Sequence, residues 1–226
     1  MENVIQWKME IQKIKIQTKA DTVILVNGEF PKHEIPLAIL TNCVRIICCD
    51  GAANQLLDNH TRTPYAIVGD CDSLLESIRK RFESIIYQKN EQETNDQTKA
   101  VNYCISQGFN DITLLGATGK REDHTLGNIS LLAEYCSKGV NVRMITDSGE
   151  FVAIQKDTEF ESYKGQQVSL FNPALSKITT SGLKYPVTDR IFTNWWQGTL
   201  NESESDRFAI KTNGLIIVYR AFQSIL

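Results

Sequence analysis

The stretch Ala66-Ile-Val-Gly-Asp-Cys-Asp-Ser73 joins a short apolar run to two carboxylates that are separated by one residue. We predict a buried strand that runs into Asp70 and Asp72. Side chains two positions apart in an extended segment point the same way, so both carboxylates are expected to face one divalent cation. Mg²⁺ favours such a site, with a few carboxylates, water and polyphosphate oxygens. The alternative is a solvated turn that carries two surface acids.

Further polar clusters lie beside apolar runs along the chain. Residues 44–49 form an apolar run that ends in Asp50-Gly-Ala-Ala-Asn54, and residues 91–96 precede a pattern typical of a helix. Residues 112–115 run into the polar segment 116–124, after which another amphipathic helix is predicted. Because the carboxyl ends of parallel strands meet at one edge of an open sheet, we expect these clusters to converge there.

The pattern of elements predicts an α/β fold followed by an all-β region. The division falls near residue 147, which gives an N-terminal parallel-sheet α/β domain at residues 1–147 and a β-rich, sandwich- or barrel-like domain at residues 148–226. In the first part, strands alternate with helices; the predicted strands are residues 22–26, 44–49, 65–68, 83–87, 111–115 and 140–145. In the second part, helical periodicity is lost; the predicted strands are residues 151–155, 167–171, 178–180, 208–211 and 215–219. Residues 1–17 are compatible with an extra strand or with a loosely held arm.

The composition is typical of an enzyme whose net charge does not favour binding to nucleic acid or to an acidic membrane. The 226 residues carry a formal net charge of −3, so no basic field attracts nucleic acid or an acidic membrane. No apolar run approaches the roughly 18 residues of a membrane-spanning helix, and the first residues lack the pattern of a signal peptide. The six cysteines show no Cys-x-x-Cys spacing and are expected to be reduced and mostly buried. We therefore expect a cytoplasmic protein.

With these clusters in view, the chain resembles the thiamine pyrophosphokinase family in four ordered motifs. The family's Asp-Gly-Gly-Ala-Asn appears as Asp50-Gly-Ala-Ala-Asn54, and its Gly-Asp-x-Asp-Ser as Gly69-Asp-Cys-Asp-Ser73. Its Gly-Arg-x-Asp-His appears as Lys120-Arg-Glu-Asp-His124, and its Thr-x-Gly-Leu-Lys-Trp-Pro as Thr180-Ser-Gly-Leu-Lys-Tyr-Pro186. The resemblance runs from residue 50 to residue 219 and covers both predicted domains.

The resemblance implies a transferase, a kinase that moves the β,γ-pyrophosphoryl group of Mg-ATP to the thiamine hydroxyl and releases AMP. It implies that Asp70, Asp72 and Asp96 hold Mg²⁺, directly or through water. Arg121 would bind phosphate oxygens with its planar fork, and Asp50 would orient substrate or activate the thiamine hydroxyl. The implied nucleotide- or thiamine-binding residues are Asn54, Ser73, Lys99, Arg121, Asp123, His124, Thr199 and Asn201. His124 is more readily explained as a hydrogen-bonding residue at a helix start than as a catalytic base.

Two segments depart from the family pattern. The family's Asp-x-Asp-x-Thr-Asp is Glu91-Gln-Glu-Thr-Asn-Asp96, in which both leading acids are longer and Asn95 replaces Thr, while Asp96 is retained. Residues Thr94 and Gln97 also fit a helix capping box, which would explain this segment without any metal. The family's Gly-x-Ser-Asn-Glu is Gly198-Thr-Leu-Asn-Glu202, which lacks the serine unless Thr199 replaces it.

Two other functions remain open at this stage. A strand that ends in Asp-x-Asp is also the signature of haloacid dehalogenase-type phosphatases, in which Asp70 would be the covalent nucleophile. A thiamine- or nucleotide-binding module without turnover is the second alternative, because the acids at residues 91–96 are altered. We further expect a homodimer with thiamine held between subunits, because Trp195, Trp196, Ile216 and Val218 of the β-rich half are expected to be exposed and to favour burial against a partner.

Overall fold

The structure, a computed structural model, describes residues 12–15 and 19–223. The helices are α1 (Glu34–Asn42), α2 (Ala52–Asn59), α3 (Glu76–Arg81), α4 (Asp96–Ser106) and α5 (Glu122–Ser137). The first strands are β1 (Gln12–Ile14), β2 (Thr22–Leu25), β3 (Arg45–Cys49), β4 (Ala66–Gly69), β5 (Ile86–Gln88), β6 (Asp111–Leu115) and β7 (Asn141–Ile145). The later strands are β8 (Gly149–Ile154), β9 (Thr158–Glu161), β10 (Gln167–Phe171), β11 (Lys177–Ser181), β12 (Arg190–Ile191), β13 (Asn201–Glu202), β14 (Arg207–Thr212) and β15 (Ile216–Ala221).

The larger sheet has ten strands in the order β13-β10-β15-β8-β7-β6-β2-β3-β4-β5. The strands from β7 to β5 in that order pair in parallel, as predicted from the alternation of strands and helices. The predicted strand at 83–87 begins one turn later, because residues Glu83–Ile85 form a 3₁₀ turn before β5. The predicted parallel α/β architecture is confirmed.

Helices cover both faces of the parallel part. On one face, α4 and α5 pack on apolar residues such as Ile47 and Leu114; on the other, α1, α2 and α3 pack on residues such as Ile46 and Ile67. This explains why the central strands are nearly continuous apolar runs, because both faces of each strand are buried. The apolar strand cores fix the sheet, and the polar residues that follow them are left at its edge.

The β-rich half is a two-layer packing. Strands β8, β10 and β15 of the large sheet share an apolar core with a five-stranded sheet of order β1-β9-β14-β11-β12. The expected exposure of Ile216 and Val218 was wrong, because both are buried in this core within one chain. The large sheet passes residue 147 without a break, since β7 and β8 pair as antiparallel neighbours. The part of the N-terminal arm that is described forms β1, parallel to β9; residues 1–11, 16 and 17 lie outside the described residues.

Within the described residues, no helix combines the length and the apolarity that crossing a membrane requires. All six cysteines are free thiols, and five of them are buried. Burial raises the pKa of these thiols, as for Cys104, whose pKa rises to about 12. They therefore act as small apolar residues of the core, as their positions in the apolar runs predict.

Candidate active site

Three carboxylates meet at the carboxyl edge of the parallel sheet. Asp50 follows β3, Asp70 follows β4, and Asp96 is the first residue of α4. One oxygen from each of them lies within 4.8 Å of the others. These are three of the acids that the sequence places at element ends, and the predicted convergence at the sheet edge is confirmed for them.

The backbone at this edge takes conformations that bring the carboxylates together. Asp50 has φ 41°, a left-handed conformation that non-glycine residues rarely adopt. At Gly69, an added Cβ would lie 3.0 Å from the Cβ of Asp50 and 3.4 Å from Oδ1 of Asp96. A side chain at residue 69 would therefore push these two acids apart. The glycine of the Gly-Asp-x-Asp motif is explained by this close approach.

Asp72 does not join the group of carboxylates. The extended geometry expected for the Asp70–Asp72 segment was wrong, because the strand ends at Gly69 and Cys71 has φ 66°. This turn directs the chain so that the backbone N–H of Asp72 donates to Oδ1 of Asp70, at 3.2 Å, while the Asp72 side chain is exposed. Its predicted role as a metal ligand stays a prediction.

The surroundings of Asp96 disfavour its ionised form. Burial raises its pKa, and the negative charges of Asp70 and Asp50 raise it further. The opposing effect comes from Lys99, a buried residue whose Nζ lies 3.2 Å from Oδ1 of Asp96. The Lys99 ammonium offsets only part of the charge of the three acids, and a divalent cation would complete the charge balance.

The carboxylates form part of the wall of a cleft of about 460 Å³. The loop that connects β6 to α5 also lines this cleft, and the segment from this loop into α5 supplies Lys120, Arg121 and His124. Nε of Arg121 donates to Oδ1 of Asp123 at 3.0 Å, and this contact lowers the pKa of Asp123 to about 2. The cleft thus combines acids that suit a metal ion with basic groups that suit phosphate oxygens.

Two other predicted nucleotide-binding residues, Ser73 and Asn54, differ in whether they line the cleft. Ser73 lines the cleft, and its backbone N–H donates to Oδ2 of Asp50 at 3.2 Å. Asn54 lies behind it, where its side chain donates to the carbonyl of Ser73 and accepts from the N–H of Leu75. Asn54 therefore supports the turn that follows Asp70, and it is not among the cleft-lining residues.

A pair of amides links the start of α4 to the loop that follows β6, and sequence analysis did not predict it as part of the site. Oδ1 of Asn95 caps α4 by accepting from the N–H of Thr98, so the helix cap is Asn95 and not Thr94. Nδ2 of Asn95 donates to Oδ1 of Asn128 at 3.1 Å, and Nδ2 of Asn128 donates to the carbonyl of Ala117 at 2.9 Å. The start of α4, which carries Asp96, is thereby linked to the loop that carries Arg121.

Thr199 and Asn201 line a separate cavity of about 330 Å³ in the β-rich half. Asn201 is held by Tyr185, whose backbone N–H donates to its Oδ1 at 3.1 Å and whose carbonyl accepts from its Nδ2 at 2.8 Å. Nearby, Trp196 and Leu200 expose 73% and 78% of their surface. Within one chain, the acidic cleft and this cavity have no lining residue in common among the described residues.

Two family models match consecutive parts of the chain. The model described as thiamin pyrophosphokinase, catalytic domain, matches residues 37–144, and the one described as thiamin pyrophosphokinase, substrate-binding domain, matches residues 149–219. The chain belongs to the thiamine pyrophosphokinase family. The three carboxylates and the Arg121 loop lie in the catalytic match, and Thr199 and Asn201 lie in the substrate-binding match.

Individual relatives agree with this family and with the fold. Thiamine pyrophosphokinase of Bacillus subtilis is 29% identical over 136 residues, which cover 56% of this chain and 63% of that protein, less than two thirds of its length. Thiamine pyrophosphokinase 1 of rice (Oryza sativa subsp. japonica) is 25% identical over 199 residues, which cover 74% of this chain and 73% of that protein. The crystal structure of yeast thiamin pyrophosphokinase superimposes with a TM-score of 0.76 at 20% identity, covering 95% of this chain and 93% of that one. The predicted family and fold class are confirmed.

Proposed function

We propose that this protein is an ATP:thiamine pyrophosphotransferase that produces thiamine diphosphate and AMP. The observation that carries the proposal is the cleft in which Asp50, Asp70 and Asp96 face Lys120 and Arg121. Pyrophosphoryl transfer needs positive charge around the phosphoryl oxygens and very little covalent chemistry from the protein. Membership of the thiamine pyrophosphokinase family supports thiamine as the acceptor.

The donor atoms of the carboxylate group fit Mg²⁺. Oδ1 of Asp50 is buried and has no hydrogen-bond partner among the described residues, which leaves its lone pairs available to a cation. Asp50, Asp70 and Asp96 would hold the ion, and Asp72 is retained as a predicted ligand through water. When bound, Mg²⁺ would supply Lewis-acid stabilisation of phosphoryl charge.

The side chains of the cleft have separate tasks in this reaction. The thiamine hydroxyl forms a bond to the β-phosphorus as the bond from that phosphorus to the oxygen of AMP breaks, and the hydroxyl proton must leave. Asp50, which follows β3 and lines the cleft, would orient the acceptor or take this proton. Arg121, held by Asp123, would present its remaining N–H groups to phosphate oxygens, and Lys99 favours the ionised form of Asp96 against the opposing effect of burial.

We infer that the working unit is a homodimer with a site completed by the partner. The support is that the cavity lined by Thr199 and Asn201 is separate from the acidic cleft, while Trp196 and Leu200 beside it are exposed. Two-fold association would bring the β-rich half of one subunit to the cleft of the other. Mixing an Asp70→Asn chain with an Asn201→Ala chain tests this: restored activity is expected, at about a quarter of the wild-type value under random exchange. No recovery after verified subunit exchange would contradict the shared site.

The reaction itself is tested by incubating the protein with ATP, Mg²⁺ and thiamine and identifying the products. AMP and thiamine diphosphate in equal amounts are expected. Release of inorganic phosphate from a phosphoester would favour the phosphatase alternative, in which Asp70 becomes phosphorylated, and binding without product would favour a non-catalytic module. We place the reaction in the cytoplasm, a location that suits an enzyme with six free thiols.

A further inference from the structure

Lys120 is a basic residue of the cleft that the family motif does not supply, because the motif has glycine at this position. Its Nζ donates to the carbonyl oxygen of Asn27 at 3.1 Å and to Oδ1 of Asn27 at 3.3 Å. Asn27 is itself fixed by Gln55 of α2, whose Nε2 donates to the same Oδ1 at 2.8 Å. The ammonium is therefore held in place at the cleft wall by neutral groups.

The other cations of the cleft are already paired with acids. Lys99 lies 3.2 Å from Asp96, and Arg121 contacts Asp123 through two N–H groups. In the part of the chain that the structure describes, Lys120 forms no ion pair with a carboxylate. Its charge is thus the least compensated positive charge along this wall.

One of the three N–H donors of Lys120 remains available to an anion. An ammonium has three N–H donors, and two of them are directed at the oxygens of Asn27. The third is available to an oxygen of a ligand in the cleft. An ammonium held by neutral oxygens keeps its full charge for that ligand, whereas Arg121 shares its charge with Asp123.

We propose that Lys120 binds the polyphosphate of the nucleotide substrate and is an additional affinity determinant in this chain. The proposal rests on the proposed pyrophosphotransferase activity. The ligand is identified by its chemistry: a chain of phosphate groups with several negative charges, which could contact a metal ion at the carboxylates and the ammonium of Lys120 in the same cleft. A neutral or cationic ligand such as thiamine gains nothing from Lys120.

A structural role must be separated from this binding role, because Lys120 also connects its loop to Asn27. Lys120→Gln retains a side-chain donor toward Asn27 but removes the charge, and Lys120→Arg retains the charge. Lys138→Gln is the matched control, because it removes one positive charge at the opposite end of α5, where Lys138 pairs with exposed Glu134. Steady-state kinetics, thermal unfolding and titration with inorganic tripolyphosphate are measured for all four proteins.

For Lys120→Gln we expect KM for ATP to rise about tenfold, which corresponds to about 1.4 kcal/mol, with KM for thiamine and Tm close to the wild-type values. Kd for tripolyphosphate should rise by a similar factor, and the salt dependence of binding should become weaker. Lys120→Arg and Lys138→Gln should behave like the wild type.

Unchanged ATP and tripolyphosphate binding in Lys120→Gln would overturn the proposal, as would equal losses in both Lys120 variants with a lower Tm, which would indicate a structural link. If wild-type protein forms no AMP from ATP and thiamine, the proposed function fails instead. In that case the tripolyphosphate titration still decides whether Lys120 binds polyphosphate.

Discussion

Replacing Asp70 by Asn should stabilise the metal-free protein and at the same time remove its response to Mg²⁺. The substitution removes one charge from the group formed by Asp50, Asp70 and Asp96 and keeps the shape of the side chain. The hydrogen bond from the N–H of Asp72 to Oδ1 survives, because an amide oxygen accepts it equally well. The change therefore acts almost entirely on electrostatic repulsion.

The size of the effect follows from the separation of the oxygens. Two unit charges 4.8 Å apart repel each other by about 0.9 kcal/mol at the dielectric constant of water and by about 3.5 kcal/mol at an effective value of 20. Asp70 takes part in two such pairs and is only half-buried, so we use the lower value. The expected gain in unfolding free energy is about 2 kcal/mol, or about 4 to 8 °C in Tm for a chain of this size.

The assay is thermal unfolding at neutral pH, first with EDTA and then with increasing Mg²⁺. Wild-type Tm should rise with Mg²⁺, because the ion binds the folded state, whereas Asp70→Asn should start higher and respond little. Asp72→Asn is the matched companion: its carboxylate lies outside the group, so no gain is expected without metal. Loss of the Mg²⁺ response in Asp72→Asn would support the ligand role predicted from the motif.

A metal-free Asp70→Asn protein no more stable than wild type would refute the reasoning, because it would mean that the three carboxylates do not repel each other in the folded state. A stabilised variant that still binds Mg²⁺ with wild-type affinity would instead refute Asp70 as a ligand.

Three further predictions concern other parts of the cleft. Arg121→Lys keeps the charge but loses the bidentate fork, so kcat/KM for ATP should fall about tenfold with little change in Tm; an unchanged value would assign Arg121 a structural role. The pKa of Asp96 is raised in the folded protein, so folding favours the protonated carboxyl. Without metal, the stability gained in this way is present below the unfolded-state pKa of Asp96 and is lost as pH rises through its folded-state pKa. Mg²⁺ should therefore stabilise the protein less as pH falls through that raised pKa, and Asp96→Asn should abolish this pH dependence in Mg²⁺ titrations. Asn128→Leu leaves the amide of Asn95 and the carbonyl of Ala117 without this partner. We therefore expect the unfolding free energy to fall by about 1–3 kcal/mol and kcat to decrease. Asn95→Thr keeps an oxygen that can cap α4, so it should lose less stability.

The fold was predictable where a strand is buried on both faces, because its sequence is then continuously apolar. The central strands are apolar on both faces, so residues 44–49 and 111–115 are recognisable as strands without knowledge of their neighbours. Strand β9 was not predicted, because the Thr-Glu-Phe-Glu sequence of residues 158–161 buries only alternate side chains in a four-residue segment. Strands β12 and β13 have two residues each, too few for any periodicity.

The candidate site was predictable in part, for a related physical reason. Asp50 and Asp70 follow apolar strands, and parallel strands end at one edge, so their proximity follows from topology. The position of Asp72 depends on the left-handed backbone of Cys71, which the residue type does not indicate. Asn128 was missed because a single polar residue in an amphipathic helix is ordinarily solvent-exposed, and its partner Asn95 is 33 residues away. The sequence does indicate Lys120 as a candidate, because it directly precedes Arg121 in the polar segment 116–124.

The carboxyl edge of the parallel sheet combines several features that reduce stability. Asp50 and Cys71 adopt left-handed backbone conformations, which cost of order 1–3 kcal/mol each, and Oδ1 of Asp50 is buried without a hydrogen-bond partner among the described residues. The repulsion within the carboxylate group adds to these costs. The elements on either side, β3, β4 and α4, are stabilised by their apolar faces and by the Asn95 cap. A bound cation would both offset the repulsion and contact the unpaired oxygen of Asp50, so the proposed metal binding accounts for these unfavourable features together.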